Sequence, residues 1–254
     1  MTESVRTEFE GGVAVITIDR PAARNAIDRA TAEGIAAAVD EIDSRPDVTV
    51  AIITGAGGTF CAGMDLKAFV RGGNSMVRGR GFAGITERPP AKPLIAAVEG
   101  WALAGGFEIV LSADLVVASR TAKFGIPEVK RGLVAAAGGL LRLPKTLPYQ
   151  LAMEIALTGD ELSAEVAHRH GVVNMLTEPG AALDGARQLA ARIAANAPLA
   201  VRTTKQIVAS AVDWPSGEGF RSQADAVKEI MTSADAREGA VAFAEKRPPI
   251  WQGR

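Results

Sequence analysis

A chain of 254 residues, 48% of them apolar, can bury one large α/β core or two small ones, and a formal charge of −1 gives no broad attraction for nucleic acid or an anionic membrane. The single cysteine, Cys61, excludes an intrachain disulfide, and with only two histidines, His168 and His170, the chain shows no metal-ligand cluster. The N-terminal MTESVRTEFEGG has the character of neither a signal nor a transit peptide, and no apolar run is long and charge-free enough to span a bilayer; a cytoplasmic globule with small molecules and copies of itself as partners is expected.

In chain order, residues 13–18 (VAVITI) are β-branched and read as a buried strand stopped by Asp19-Arg20-Pro21. Asn25 is expected to cap a helix over 26–42, with Asp28 three residues on and Pro46 as its stop. Residues 48–54 (VTVAIIT) form the next strand, which Gly55-Ala56-Gly57-Gly58 turns into Phe60-Cys61-Ala62-Gly63-Met64-Asp65-Leu66. Alternation of strand, helix and strand predicts crossover connections and a largely parallel sheet. Residues 71–90, rich in Gly and Arg without a clean period, are expected to be a mobile loop with at most one short helix, of the kind that lies over a site. Residues 93–98 and 115–118 are two more buried strands. Pro148 opens a helix ending at Thr158-Gly159, Ser163 caps another that reaches Arg169, and residues 172–176 make the last strand. Helices follow over 183–197, 200–212, 217–231 and 235–245. No fixed-period repeat shows in the sequence. The division expected is a sheet-rich part over 1–190 and a helical part over 191–254, without a strong boundary.

Two acids stand out in this order. Ala104-Gly105-Gly106 leads into an apolar helical segment carrying Glu108, and Phe124-Gly125-Ile126-Pro127 holds Glu128 behind a rigid proline. Isolated carboxylates in apolar sequence are costly unless paired, hydrogen-bonded or protonated, so two brought together have shifted, interacting titrations. The helix dipole favours the charged form of Glu108. Glycine turns after strands, at Gly63-Met64 and Ala104-Gly105, expose backbone N–H groups and make a candidate oxyanion hole, although turn geometry alone also explains such glycines. Gly55-Ala56-Gly57-Gly58 lacks the ending of a phosphate loop and reads as a turn. His168 and His170 read as structural groups at a helix end, and Cys61 as a small buried hydrophobe.

Together these pieces resemble the enoyl-CoA hydratase/isomerase (crotonase) superfamily. The match runs through Asp19-Arg20-Pro21 with Arg24-Asn25-Ala26, Phe60 to Leu66, Ala104 to Glu108, Phe124 to Glu128, Gly138-Gly139 and the tail Phe243-Ala244-Glu245-Lys246-Arg247. The resemblance implies a spiral of repeated ββα units followed by a helical trimerisation region, assembled as a homo-trimer or a hexamer. It implies that the N–H groups of Met64 and Gly105 polarise the thioester carbonyl of an acyl-CoA. Ala22, Ala23, Arg24, Ala62, Asp65 and Leu66 would border the coenzyme, with Phe243 and Lys246 completing the site of a neighbouring subunit. Coenzyme A would arrive as part of the substrate, and no separate cofactor or metal is implied.

Hydratases of this kind carry two glutamates, and Glu108 and Glu128 stand twenty residues apart in that pattern. The implied reaction is syn addition of water to a trans-2-enoyl-CoA, Glu108 activating the water and Glu128 handling the α-carbon proton. Ala104 replaces the first glycine of a frequent triple, and the segment 133–139 lacks a proline that many hydratases have there. Leu140-Leu141-Arg142-Leu143-Pro144-Lys145 and Trp251-Gln252-Gly253-Arg254 look like carnitinyl-CoA dehydratases, which keeps a specialised dehydratase open beside isomerase and hydrolase readings. An RNA-binding role is disfavoured by the absence of a basic stripe.

Overall fold

The VRTEFE and VAVITI segments pair antiparallel as β1 (Val5–Glu10) and β2 (Val13–Ile18), with Val5 opposite Ile18. In the computed structural model, which describes residues 4–254, β1 was not anticipated, although its inward Val5, Thr7 and Phe9 alternate with outward charges at the period of a strand. From β2 onward one pattern recurs: a strand of this large sheet, a step into a second sheet, then a helix. β2 is followed by Ile27 and α1 (Arg29–Ser44); β3 (Val50–Gly55) by residues 61–64 and α2 (Leu66–Val70). A short hairpin of β4 (Met76–Val77) and β5 (Gly81–Phe82) intervenes. β6 (Leu94–Val98) is then followed by β7 (Trp101–Leu103) and α3 (Gly105–Ser112). The next turn comprises β8 (Leu115–Ser119), β9 (Lys123–Gly125), a 3-10 turn over Pro127–Arg131 and α4 (Gly139–Thr146). α5 (Tyr149–Thr158), β10 (Leu162–Ser163), α6 (Ala164–Arg169) and β11 (Met175–Thr177) complete the spiral. The helices α7 (Ala182–Ala194), α8 (Pro198–Ala211), α9 (Gly219–Met231) and α10 (Ala234–Glu245) follow.

The large sheet runs β1-β2-β3-β6-β8-β11, parallel everywhere except at β1–β2. The second layer is stitched by parallel bridges, Ile27 to Met64 and Cys61 to Ala102, and continues through β7 beside β9 and antiparallel β10. This is the expected α/β spiral of ββα units. Its strands begin at residues 13, 50, 94, 115 and 175, so the turns differ in length and no fixed period could show in the sequence.

A sheet buried on both faces needs apolar residues at every strand position, which is why these strands read as continuous runs. Val15, Val50, Ile52, Ile95, Ala97 and Val117 face α7, where Ala186 and Ala190 meet them. Their neighbours Ile16, Ile53, Ala96, Val98 and Ala118 face the second layer with Phe60, Phe107 and Phe124. Phe107 on α3 and Phe124 on β9 pack at 5.3 Å between ring centroids, inclined by 45°. Each is fully buried, and such burial contributes about 2–3 kcal/mol per ring. This pair joins the elements carrying Glu108 and Glu128.

Other expectations change. Asp28, not Asn25, caps α1, accepting from the Thr31 N–H at 2.9 Å, so the helix starts at Arg29 rather than at residue 26. Asn25 has φ 56° and is fully buried as a strut. Its amide donates to the Ala56 and Thr59 carbonyls at 2.8 and 2.6 Å and accepts from the Arg20 N–H at 2.9 Å. Residues 71–90 are mostly loop, as expected, but carry the short β4–β5 hairpin in place of a short helix and bury Phe82, Ala83 and Ile85. The last strand is Met175–Thr177, because Val172 and Val173 instead close α6 by bonding back to the Ala167 carbonyl. α4 was unforeseen because it contains Pro144. The helices α7–α10 lie close to their expected bounds. Replacing Asn25 by Ala leaves three partly buried backbone groups without the partners they have here. Stability falls by about 2–3 kcal/mol in a chemical-denaturation midpoint, and Asn25→Asp, which cannot donate, recovers little of it.

Candidate active site

The successive turns of the spiral bring Met64, Gly105, Glu108 and Glu128 to one cavity of about 610 Å³. It is walled by Ala62, Leu66, Phe69, Phe82, Leu103, Leu133 and Val134. Met64 comes from the second turn, Gly105 and Glu108 from the third, and Glu128 from the fourth.

The two amides converge for a backbone reason. Ile27 bonds to both neighbours of Met64, donating to the Gly63 carbonyl at 2.8 Å and accepting from the Asp65 N–H at 2.9 Å. In a parallel bridge of this kind the N–H of the middle residue, Met64, points to the other side. Gly105 opens α3, where N–H groups have no intrahelical acceptor. Among the described residues neither N–H meets an acceptor. A side-chain carbon on Gly63, which has φ +94°, would lie 3.1 Å from the Gly105 nitrogen and 2.8 Å from the Ala104 Cβ, so only glycine lets the two turns approach. Ala104 itself sits at φ 52°, ψ −129°, a region costly for any residue with a Cβ. This strain at the entrance to α3 is borne by the surrounding packing.

Glu108 is 3% exposed, and its Oε1 accepts from the Ala137 and Gly139 N–H groups at 2.7 and 2.8 Å. Burial raises its pKa, opposed by those two N–H groups and by the Arg142 guanidinium. Glu128 is half-buried at the start of the 3-10 turn, and burial together with the nearby Glu108 charge pushes its carboxyl up to about 7. Its Oε2 is buried with no hydrogen-bond partner among the described residues, and the residue lines the cavity. The pair thus combines one carboxylate held by the donors of two neighbouring residues with one that has a buried oxygen without a partner among the described residues.

The other expected residues divide. Arg24, Ala62 and Leu66 line the cavity, and the Arg24 guanidinium lies 5.2 Å from the Trp101 ring. Asp65 does not line it. Its carboxylate accepts from the Lys67 and Ala68 N–H groups, capping α2, and pairs with Arg20 at 3.0 Å. Burial pushes that carboxyl up, but these donors outweigh it and hold the pKa below the usual carboxylate range. Ala22 and Ala23 border a separate surface concavity. Phe243 and Lys246 are exposed at the end of α10 and do not reach the cavity of their own chain.

Cys61 is fully buried and its thiol is pushed up to about 12 by burial, which fits an inert apolar role. His168 Nδ1 shares a hydrogen bond with the Val173 carbonyl at 2.8 Å, a structural contact. Phe82 and Arg131 border the cavity without having been singled out, and so do Leu133 and Val134 from the segment noted for its missing proline. Three follow Glu128 closely in the chain, but Phe82 lay in the segment without a clear period.

The profile of the Enoyl-CoA hydratase/isomerase family matches residues 8–254. The chain belongs to that family. Enoyl-CoA hydratase from Mycobacterium tuberculosis superposes with a TM-score of 0.98 at 57% identity, covering 99% of this chain and 100% of that one. Carnitinyl-CoA hydratase from Mycobacterium avium superposes with a TM-score of 0.80 at 42% identity over 100% of both chains. Carnitinyl-CoA dehydratase from Salmonella enteritidis is 43% identical over 262 residues, all of both sequences. Among the described residues no helix is long and apolar enough to cross a membrane, and no cluster of His, Cys, Asp and Glu is arranged for a metal ion.

The raised Glu128 pKa carries a stability consequence. Its folded value of about 7 exceeds that of a free glutamate side chain, 4.5, so its ionisation in the folded state opposes folding, and stability contributed below the lower value is lost as pH rises through the upper one. Glu128→Gln therefore raises the thermal midpoint at pH 8 relative to the parent, and the gain vanishes at pH 4; parallel melting curves at the two pH values read both effects.

Proposed function

We propose that this chain is an enoyl-CoA hydratase, adding water syn across a trans-2-enoyl-CoA to give a 3-hydroxyacyl-CoA. The observation that carries the reading is the meeting, in one apolar cavity, of two unpartnered backbone N–H groups with two carboxylates of raised pKa. The Met64 and Gly105 amides accept the thioester oxygen as negative charge develops on it, and each such donor contributes roughly 10²–10³ in rate. Withdrawal of electrons makes the β-carbon electrophilic. Glu108, oriented by Ala137 and Gly139, takes a proton from the attacking water through its second oxygen, while protonated Glu128 delivers one to the α-carbon. The product leaves Glu108 protonated and Glu128 ionised, and exchange with solvent resets them. No cofactor of the protein's own takes part, because coenzyme A enters with the substrate.

The relatives named for carnitinyl-CoA support a second reading, dehydration of that thioester. The wall favours the first. A carnitinyl group carries a quaternary ammonium, which is bound best by aromatic faces or a free carboxylate. Here the lining offers Phe69 and Phe82 as aromatic faces, but among the described residues its acids are Glu108 and Glu128, both engaged in the proposed chemistry, and Arg24 and Arg131 add two like charges. An uncharged acyl chain suits these surroundings. We also propose that the chain works in the cytoplasm as a homo-trimer or hexamer with no nucleic-acid or membrane partner. Phe220 and Phe243 are 87% and 88% exposed in the single chain, an apolar surface that another copy would cover. In that assembly Arg24, Ala62 and Leu66 border the coenzyme, with Ala22, Ala23 and Asp65 behind them and Phe243 and Lys246 arriving from the neighbour.

Loss of the conjugated enoyl-thioester absorbance on mixing with crotonyl-CoA tests the reaction. Glu108→Gln and Glu128→Gln each lower kcat by about 10²–10⁴ with little change in binding of a saturated acyl-CoA. Normal hydration by both variants refutes the mechanism. Preferential turnover of carnitinyl-CoA over crotonyl-CoA selects the second reading. A separate expectation concerns pH. The active pair holds one proton before and after reaction, so kcat/KM follows a bell in both directions and falls above about pH 7 as Glu128 loses its proton in the free enzyme. Initial rates of hydration and dehydration across pH 5–9 check that the two profiles coincide.

A further inference from the structure

Arg142 has no place in the mechanism above, yet it stands directly behind it. Gly138 precedes α4 at φ +102°, and a side-chain carbon there would overlap Arg142 Nη1. At Gly139 the same carbon would lie 3.0 Å from Glu108 Oε1, and the Gly139 N–H donates to that oxygen. The two glycines therefore form a thin partition with a guanidinium against one residue and a carboxylate against the next. On its other arm, Arg142 Nη2 donates to the Thr86 carbonyl at 2.6 Å. The Thr86 N–H bonds to the Phe82 carbonyl at 3.2 Å, and the Phe82 ring occupies the space a side chain on Gly105 would need. A closed circuit results, running from Glu108 through Gly139, Gly138, Arg142, Thr86 and Phe82 to Gly105.

We infer that Arg142 is a positioning residue: across the Gly138-Gly139 partition it favours the ionised form of Glu108, and through Thr86 it holds the Phe82 wall against the Gly105 amide. The inference rests on the hydratase reading for its catalytic consequence but not for its physical content. The charged groups around Glu108 are Arg142 on α4 and Glu128 on the 127–131 turn. Arg24 and Arg131 line the same cavity, and Arg131 acts on Glu128; Arg142 is the cation that partly offsets the burial of Glu108. Half-buried Arg142 in turn has no carboxylate bonded to it among the described residues, so its charge is not neutralised by a direct ion pair.

Removing a nearby cation raises a carboxyl pKa, so the acid limb of kcat/KM moves to higher pH. The decisive measurement is direct: a pH titration of the Glu108 side-chain carboxyl by ¹³C NMR on glutamate-labelled full-length protein, its resonance assigned by its loss in Glu108→Gln. In Arg142→Gln the Glu108 midpoint moves upward and the acid limb follows it. Arg142→Lys keeps a charge but loses the planar fork, so its midpoint lies nearer that of the parent, while KM rises in both variants as the Phe82 wall loosens. If Arg142→Gln does not fold, Arg142→Met, which keeps the apolar stem and deletes only the charged head, gives the same upward shift. An unmoved Glu108 midpoint in the folded variants, with only a lower melting temperature, overturns the proposal. Because the titration needs no turnover, a shifted midpoint without hydration of any enoyl-CoA counts against the hydratase reading alone.

Discussion

The structure turns on a conflict between two features of one cavity: its wall is largely apolar, yet it contains two carboxyl groups. Burial raises the pKa of both Glu108 and Glu128, and the resolution differs at each. Glu108 receives two backbone donors and a guanidinium behind them, which restore much of what dehydration removes. Glu128 has an oxygen with no donor among the described residues. One residue type thereby supplies groups of different acidity, and the difference comes from the backbone around them.

Backbone geometry supplies the rest of the site as well. The N–H of Met64 is freed because Ile27 occupies its neighbours, and that of Gly105 because it begins a helix. Both are fixed by hydrogen bonds of the second layer rather than by flexible side chains, so an oxygen placed between them would meet donors already in position. The cost is visible in the strained Ala104 and in glycines that cannot carry a side chain. Asn25 performs a related task at a distance, holding the turn after β3 through two carbonyls. Such devices allow loops from separate turns of the spiral to meet within hydrogen-bonding distances.

Sequence patterns were most legible where one physical requirement dominated. A strand buried on two faces must be apolar throughout, so β2, β3, β6 and β8 stood out as uninterrupted runs, and the amphipathic helices at the C-terminal end were equally plain. Local choices between near-equal alternatives were less legible. Asn25 and Asp28 are both good caps, and only the Ala56 and Thr59 carbonyls, more than thirty residues away, draw Asn25 into another role. Residues 71–90 lacked periodicity because Phe82, Ala83 and Ile85 pack against neighbours from α1 and α3 rather than along one regular face.

Composition and apolar runs by themselves determined an α/β chain with a largely parallel sheet, two acids and two glycine turns, since each of these depends on residues close together in the chain. The spiral was implied by the resemblance of its motifs to the enoyl-CoA hydratase/isomerase superfamily. Tertiary structure alone decided that Asp65 turns to Arg20 and the α2 amides, that Phe82 walls the cavity and that Arg142 stands behind Glu108. Those facts depend on contacts between different turns of the spiral. The turns differ in length, so sequence separation carries no record of which residues meet.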